Sequence, residues 1–207
     1  MKIDLEEMYA RDLHHLLMSS VVPRPIAWVS TVGEDGIYNL APFSAYCVMS
    51  VRPAVLGFAA AVTRDGKKKD TLVNIESTKE FVVNVVNEAL AEAMNTTAAP
   101  YPPGVDEFKE SGMTPVMADL VNVPMVAESP INMECRLNRI LEFGEAPAVN
   151  RFVIGEILRV HVKDELLMND EIRMDKLKAI GRLGGRGGDQ YCRTTDSFEM
   201  PRPTLNG

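Results

Sequence analysis

Hydrophobic residues along the chain group into short runs rich in β-branched and aromatic side chains, which favour strands. Such runs predict strands at Ile26 to Thr31, Ala54 to Ala61, Phe81 to Val86, Ile131 to Glu142 and Arg151 to Val162. The polar turn Gly33 to Gly36, followed by Ile37, predicts a hairpin that pairs the first strand with a second one. The continuous apolar character of the Ala54 run is typical of a strand buried on both faces.

Short helices are predicted between the strands, at Leu5 to Leu17, Asp70 to Ser77 and Glu88 to Met94. Pro23 and Pro25 stop the first helix, because proline lacks an amide donor and fixes φ. Asp70 is placed to cap the first turn of the second helix. The prolines of Thr97 to Gly104 indicate an irregular loop. These elements predict a β-barrel or sandwich with helical additions, and not the regular strand–helix alternation of a doubly wound sheet.

Composition limits the classes of protein to which the chain can belong. Its 207 residues are 46% hydrophobic and 25% charged, which is typical of a folded globular domain and not of a disordered chain. The net charge of −7 disfavours nucleic-acid binding over the whole surface. The apolar stretch Pro53 to Val62 is far shorter than the roughly 20 residues that cross a bilayer. With an acidic N-terminus unlike a signal peptide, the sequence predicts a cytoplasmic protein that uses neither membrane nor nucleic acid.

Several kinds of chemistry have no motif in this sequence. The cysteines Cys47, Cys135 and Cys192 form no CxxC, which favours core residues or free thiols. No HExxH, calcium loop, GxSxG or Walker loop is present, so we expect no metal and name no catalytic residue. His161 is either a strand histidine with a satisfied ring or a residue beside a ligand. The glycine-rich segment Gly181 to Gly188 is either a flexible loop or a backbone that closes over a ligand, with Arg182 or Arg186 supplying charge.

A basic segment follows the third predicted strand. Thr63 to Lys69 carries a net charge of +3 and leads directly into the helix that starts near Asp70. Free amides at a helix N-terminus favour anions, and a hydroxyl, a guanidinium and ammonium groups lie beside them in sequence. This pattern predicts a site for one phosphate monoester, with a solvated basic loop as the alternative. Lys67, Lys68 and Lys69 all remain candidates for the ammonium.

Several stretches together carry a resemblance to a known family. The chain resembles the flavin reductase-like family of FMN-binding split barrels, in particular its flavoredoxin-type branch. The similarity extends over roughly residues 20 to 200. The stretches are Pro23 to Thr31, Tyr38 to Ser44, Lys69 to Thr71, Asn74-Ile75, Glu80 to Asn84, Met94 to Thr97, Asp106 to Phe108, Gly181 to Gly185 with Tyr191, and Met200 to Pro203.

The resemblance implies a mainly β, Greek-key-like, six-stranded split barrel that forms a homodimer and binds FMN near the subunit interface. It implies one domain over residues 1 to 207, with a core at about 20 to 165 and a C-terminal loop and tail at about 175 to 207. The first two strands would contact the isoalloxazine and the ribityl chain, and the segment before the helix would surround the 5′-phosphate. The cofactor-binding residues implied are Ala27, Trp28, Val29, Ser30, Thr31, Asn39, Ala41, Pro42, Phe43, Ser44, Arg64, Lys69, Asp70 and Thr71.

Three functions remain open at this point. The resemblance favours an NAD(P)H-dependent flavin reductase or related oxidoreductase, in which flavin N5 accepts hydride. An electron carrier of the flavoredoxin kind, reduced by a protein partner, is the second. A non-catalytic barrel that binds a phosphate-bearing ligand or haem is the third. A strand edge offers N–H and C=O groups that match the polar edge of a flavin, and Pro42 indicates an edge strand or a bulge there.

Overall fold

The computed structural model describes residues 2–60, 66–145, 149–185 and 188–204. The fold is mainly β, as the sequence predicts. In chain order the strands are β1 (Ala27–Val32), β2 (Tyr38–Phe43), β3 (Tyr46–Val51), β4 (Ala54–Ala60), β5 (Glu80–Val85), β6 (Pro115–Met117), β7 (Pro124–Val126), β8 (Ile131–Phe143), β9 (Asn150–Val162), β10 (Leu167–Met168), β11 (Glu171–Ile172), β12 (Ile180–Arg182) and β13 (Tyr191–Arg193). Seven of them form one antiparallel sheet in the order β2-β1-β5-β8-β9-β4-β3, and the other six form three small hairpins.

The helices are short and lie between the strands. They are α1 (Ala10–Ser20), α2 (Asp70–Thr78), α3 (Ala91–Thr96), α4 (Glu107–Ser111) and α5 (Met174–Leu177), with 3₁₀ turns at Glu88–Leu90 and Asp164–Leu166. α1 begins five residues later than predicted, because residues 5–8 form turns and a bend instead. The prediction that Asp70 caps α2 is wrong. Lys69 occupies the N-cap position, and no side chain caps that end.

The main sheet curls because its two end strands are consecutive in the chain. β2 and β3 lie at opposite ends of the strand order, yet only Ser44 and Ala45 join them. Next to this bend, the Ala59 N–H of β4 donates to the Ala45 carbonyl at 2.8 Å. If β2 and β3 are counted as one bent strand, the sheet has the six strands of the expected split barrel. The sequence analysis did not predict β3 as a separate strand.

The interior of the curled sheet is filled by aromatic and aliphatic side chains. The rings of Phe43 and Phe58 lie 5.0 Å apart, and those of Phe58 and Phe81 lie 5.7 Å apart. Leu72 and Ile75 of α2 belong to the same cluster, so α2 packs on this core with its first turn near the end of β2. Trp28 belongs to a separate cluster with residues of α3, α4 and β7.

Two further observations concern membrane-spanning helices and the cysteines. No helix among them is both long and apolar enough to cross a membrane. The three cysteines are free: Cys135 is buried, Cys192 is half-buried and Cys47 is exposed. The expectation of core residues or free thiols is therefore confirmed.

Candidate functional site

The start of α2 lies directly after the basic segment for which the sequence predicts a phosphate site. Lys69 precedes the first helical residue, and its Nζ lies 5.3 Å from the centre of the Phe43 ring at the end of β2. The residue as a whole is exposed, but protein atoms around its ammonium group lower the pKa of Lys69. No side chain caps α2, and its first-turn amides face its N-terminal end, where those of Leu72 and Val73 donate to the Lys69 carbonyl. We call the group of Phe43, Ser44, Lys69 and Asp70 the phosphate corner, after the ligand that the sequence predicts there.

The structure distinguishes two of the candidate lysines. Lys68 Nζ lies 2.5 Å from Glu76 Oε2, on the flank of α2. Lys69 instead extends over Phe43, which makes it the better placed of the two for an anion at the helix start. Arg64, the other predicted cation, lies outside the described residues.

Thr71 turns inward from this corner. It is only 1% exposed, and its Oγ1 donates to Asn39 Oδ1 at 2.6 Å. Thr31 Oγ1 donates to the same oxygen at 3.2 Å and accepts from Asn74 Nδ2 at 3.0 Å. In this arrangement the hydroxyl of Thr71 has its proton directed at Asn39. Thr71 remains a predicted phosphate ligand only through its backbone N–H.

A buried carboxylate completes this polar network. Asn39 Nδ2 donates to both oxygens of Glu107 at 3.0 Å, and the Leu40 N–H donates to Glu107 Oε2 at 3.0 Å. Burial raises the pKa of Glu107, although these hydrogen bonds favour its charged form, and the nearby Asp70 raises it further. The network therefore links β2, α2 and the start of α4.

β2 supplies fewer backbone donors than the sequence argument expects. The outward N–H of Leu40 is used by Glu107, and Pro42, two residues along the same edge, has no N–H. β2 lies at an end of the sheet, as proline in a strand requires, and its pairing with β1 continues without a bulge. A ligand beside Leu40 and Pro42 therefore finds no free N–H on that part of β2, and we expect its donors to come from Ser44 and from α2.

The predicted ligands on β1 lie in the interior. Ala27 to Thr31 are fully buried, and β1 pairs with β2 on one side and β5 on the other. Trp28 Nε1 donates to Thr97 Oγ1 at 2.8 Å, and Ser30 Oγ donates to the Pro124 carbonyl at 2.6 Å. In this structure these residues belong to the buried strand that pairs with β2, and their contact with a cofactor stays a prediction.

Two arginines lie on the other side of Ser44. Arg24 is nearly buried, and its Nε donates to Ser44 Oγ at 3.5 Å. Burial, with the positive charge of Arg182 nearby, lowers the pKa of Arg24. Arg182 donates to the Tyr191 hydroxyl and lies 4.5 Å from the centre of its ring. The other groups of Arg24 donate to the carbonyls of Met18, Val21 and Leu183.

These contacts give part of the glycine-rich segment an ordered place. Its first residues form β12, which pairs with β13, and the Gly185 N–H donates to Ser19 Oγ at 3.2 Å. Arg186 and Gly187 lie outside the described residues.

One cavity borders the polar network between the β1–β2 hairpin turn and α2. It has a volume of about 350 Å³ and is lined by Asn39, Asp70 and Asn74, with Glu34 and Asp35 at the hairpin turn. No lysine or arginine among the described residues lines it, so it does not suit a phosphate. A second cavity of about 270 Å³ lies beside His161.

His161 belongs to a cluster whose ligand atoms are close enough to hold a metal ion. The side-chain ligand atoms of Asp119, Glu134 and His161 lie within 4.8 Å of one another. His161 Nε2 lies 2.6 Å from Glu134 Oε1, and Asp119 Oδ2 lies 2.7 Å from a guanidinium nitrogen of Arg159. Glu134 Oε2 accepts the N–H of Leu120 at 2.5 Å. Each of the three side chains thus has a partner in the protein, which for His161 is at Nε2.

Comparison with known proteins supplies the context for this geometry. The model of the flavin reductase like domain matches residues 18–178. The chain belongs to this family. Nitrilotriacetate monooxygenase component B from Bacillus cereus superposes with a TM-score of 0.91 at 32% identity, over 97% of this chain and 98% of that one. The Pseudomonas fluorescens 2-nitrobenzoate 2-nitroreductase NbaA gives a TM-score of 0.88 at 31% identity, over 100% and 98% of the two chains.

An uncharacterized protein of Halalkalibacterium halodurans is 35% identical over 100% of this chain and 98% of its own length. The family expectation from the sequence is therefore confirmed. The resemblance motif Asp106 to Phe108 already contained Glu107. Nothing in the sequence marked Glu107 as buried, because its partners Asn39 and Leu40 are almost 70 residues away.

Proposed function

We propose that this chain is an FMN-binding oxidoreductase that takes electrons from NADH or NADPH and passes them to free flavin or another acceptor. The observation that carries the proposal is the phosphate corner. A cation, uncapped helix amides and a strand end meet there, in a chain of the flavin reductase-like family. These are the groups that bind a terminal phosphate.

The donor set at this corner fits an FMN phosphate. Lys69, the first-turn amides of α2 and Ser44 would hold the phosphate, and Arg64 adds a charge to the same segment. A single compact corner suits a terminal phosphate better than a pyrophosphate bridge, which favours FMN over FAD. Bound flavin would supply hydride acceptance at N5. The chain itself would bind and orient the cofactor and limit the access of water to it.

The relatives favour an enzyme over an electron carrier. Two solved structures above 30% identity are named as a monooxygenase component and a nitroreductase, which are redox enzymes. The flavoredoxin-type carrier therefore remains the second candidate, and a non-catalytic barrel for a phosphate-bearing ligand the third. We propose a single domain over residues 1 to 207, because the H. halodurans relative aligns over the whole chain.

We also propose a homodimer. β3 is an end strand of the sheet, and Val48, Met49 and Val51 on it are exposed, the last at 80%. An exposed apolar end strand favours association with a second copy. Sedimentation velocity should give twice the chain mass; a monomer at micromolar concentration contradicts this assignment.

Loss of the Lys69 ammonium tests the phosphate corner. Lys69→Ala should weaken FMN binding by about tenfold to a hundredfold, the effect of one charge-assisted hydrogen bond. Lys68→Ala removes the same charge from a side chain that is paired with Glu76, and should change the affinity far less. Quenching of flavin fluorescence measures both dissociation constants. Equal losses in the two variants would mean that only the overall charge matters.

Electron transfer is tested separately on the FMN-loaded protein. Anaerobic stopped-flow mixing with NADH or NADPH should bleach the flavin absorption within seconds. Slow bleaching by both nucleotides with rapid reduction by a low-potential redox protein would favour the electron carrier. A colourless protein that ignores added FMN in equilibrium dialysis would favour the non-catalytic barrel.

A further inference from the structure

A buried carboxylate lies behind the phosphate corner without touching it. Glu107 is 7% exposed, and no ion pair joins it to a cation among the residues that the structure describes. Its oxygens accept only amide hydrogens, from Asn39 Nδ2 and from the Leu40 N–H. A charged group in such a place is costly to bury unless hydrogen bonds or an opposite charge compensate for the lost water.

The chemistry of these contacts sets a direction along the network. An ionised carboxylate can only accept, so the amide nitrogen of Asn39 must face Glu107. The amide oxygen of Asn39 then faces α2, where Thr71 Oγ1 donates to it at 2.6 Å. Each step fixes the orientation of the next group, from Glu107 through Asn39 to Thr71.

Thr71 is the second residue of α2, two positions after Lys69. The contact to Asn39 joins residues 32 positions apart and fixes the start of the helix against β2. The end of α2 is held differently, through Ser77 and Glu34 at the hairpin turn. Glu107 therefore acts on the end of the helix that carries the uncapped amides.

We propose that Glu107 is a positioning residue of the phosphate corner: its carboxylate, through Asn39 and Thr71, fixes the first turn of α2 where the cofactor phosphate binds. This inference rests on the proposed function, because it assigns the corner to a phosphate. It predicts that the affinity for FMN depends more on the pattern of donors and acceptors at positions 39 and 107 than on the shape of the two side chains.

Exchanging the polarity of the pair isolates this effect. Glu107→Gln places an amide donor against the Asn39 donor. Asn39→Asp places two carboxylates against each other. The double variant restores a donor–acceptor pair: the glutamine oxygen accepts from Leu40 N, its amide donates to the new carboxylate, and that carboxylate accepts from Thr71. The total charge then equals that of the wild type.

The experiment measures the FMN dissociation constant of the four proteins by fluorescence quenching, with the thermal unfolding midpoint of each FMN-free form recorded alongside. Each single variant should bind about tenfold more weakly, and the double variant should return to within about threefold of the wild type. Glu110→Gln, an exposed residue of the same helix, should bind as the wild type does. If a single variant does not fold, the FMN affinity of the double variant tests the inference by itself.

Two results overturn the inference alone: wild-type affinity in Glu107→Gln, or no recovery in the double variant while the wild type binds FMN. A wild type that binds no FMN overturns the proposed function together with it.

Discussion

Two glutamates are buried in this fold, and their partners give them opposite acid–base behaviour. Burial dominates at Glu107, whose donors are neutral amides, and it raises the pKa. Burial acts on Glu134 too, but hydrogen bonds from His161 and from the backbone amides of Leu120 and Asp119 together lower the pKa. The comparison teaches that the donors around a carboxylate, and not its burial alone, decide whether it stays charged.

The two sites also do different work in the fold. Glu134 joins β8 to the loop before β7 and to His161 on β9. Glu107 joins α4 to β2 and, through Asn39, to α2. The contacts of Glu134 link elements of the fold, and they favour the charged form of its carboxylate. Glu107 adjoins a proposed ligand site that will itself carry negative charge.

The largest expected effect comes from making Glu134 resemble Glu107. His161→Leu leaves the buried carboxylate with backbone donors only, and should lower the free energy of unfolding by about 3 kcal/mol near neutral pH. Burial then raises the pKa of Glu134, so the loss should shrink as the pH falls through that raised value. Urea unfolding at two pH values measures this. His161→Gln, which keeps a donor, should lose less; an equal loss would refute the role of the hydrogen bond.

A smaller loss is expected at the other carboxylate when its amide partner is removed. Asn39→Leu takes donors from Glu107 and the acceptor from Thr71, and should cost about 2 kcal/mol of unfolding free energy. The control is Asn122→Leu at an exposed position, which should be nearly neutral. Urea unfolding of the FMN-free proteins separates this loss from any effect on binding. No difference between the two variants would count against the network.

The smallest effect is a pH dependence at Glu107. The folded pKa of this carboxyl is raised above the ordinary value of 4.5. Its contribution to stability is therefore fully present below that value and is lost as the pH rises through the folded pKa, by about 1.4 kcal/mol for each unit of difference. The free energy of unfolding of the wild type minus that of Glu107→Gln, measured by urea unfolding across this pH range, should decline with rising pH and then level off. A difference that grows with pH would contradict the sign.

The sequence predicts the fold well where local pattern and burial agree. The β-branched runs and turn signals predict the hairpin of β1 and β2 and the long strands β8 and β9, and helix α2 lies where the sequence predicts it, although Asp70 does not cap it. β3 was not predicted as a separate strand, because its sequence does not alternate between polar and apolar residues. In the fold its apolar residues Val48, Met49 and Val51 are exposed. The short hairpins β6–β7 and β10–β11 contain too few residues to show a period.

The candidate site divides in the same way. Lys69 and Asp70 could be proposed from the charge of one segment, because the argument needs only residues that are neighbours in sequence. The inward turn of Thr71 and the role of Glu107 could not, because both depend on Asn39, which is brought to them by the packing of β2 against α2 and α4. The sequence argument expects the backbone groups along the edge of β2 to be available to a ligand, but the tertiary contact with Glu107 uses the N–H of Leu40.

Arg24 has a consequence for the two terminal segments. One guanidinium holds the last carbonyls of α1 and the backbone just after β12, 159 positions away. A proteolytic cut that frees either segment removes acceptors of Arg24 and so weakens the contact through which Arg24 holds the other segment. The beginning and the end of this chain are therefore expected to loosen together, as one unit beside Ser44.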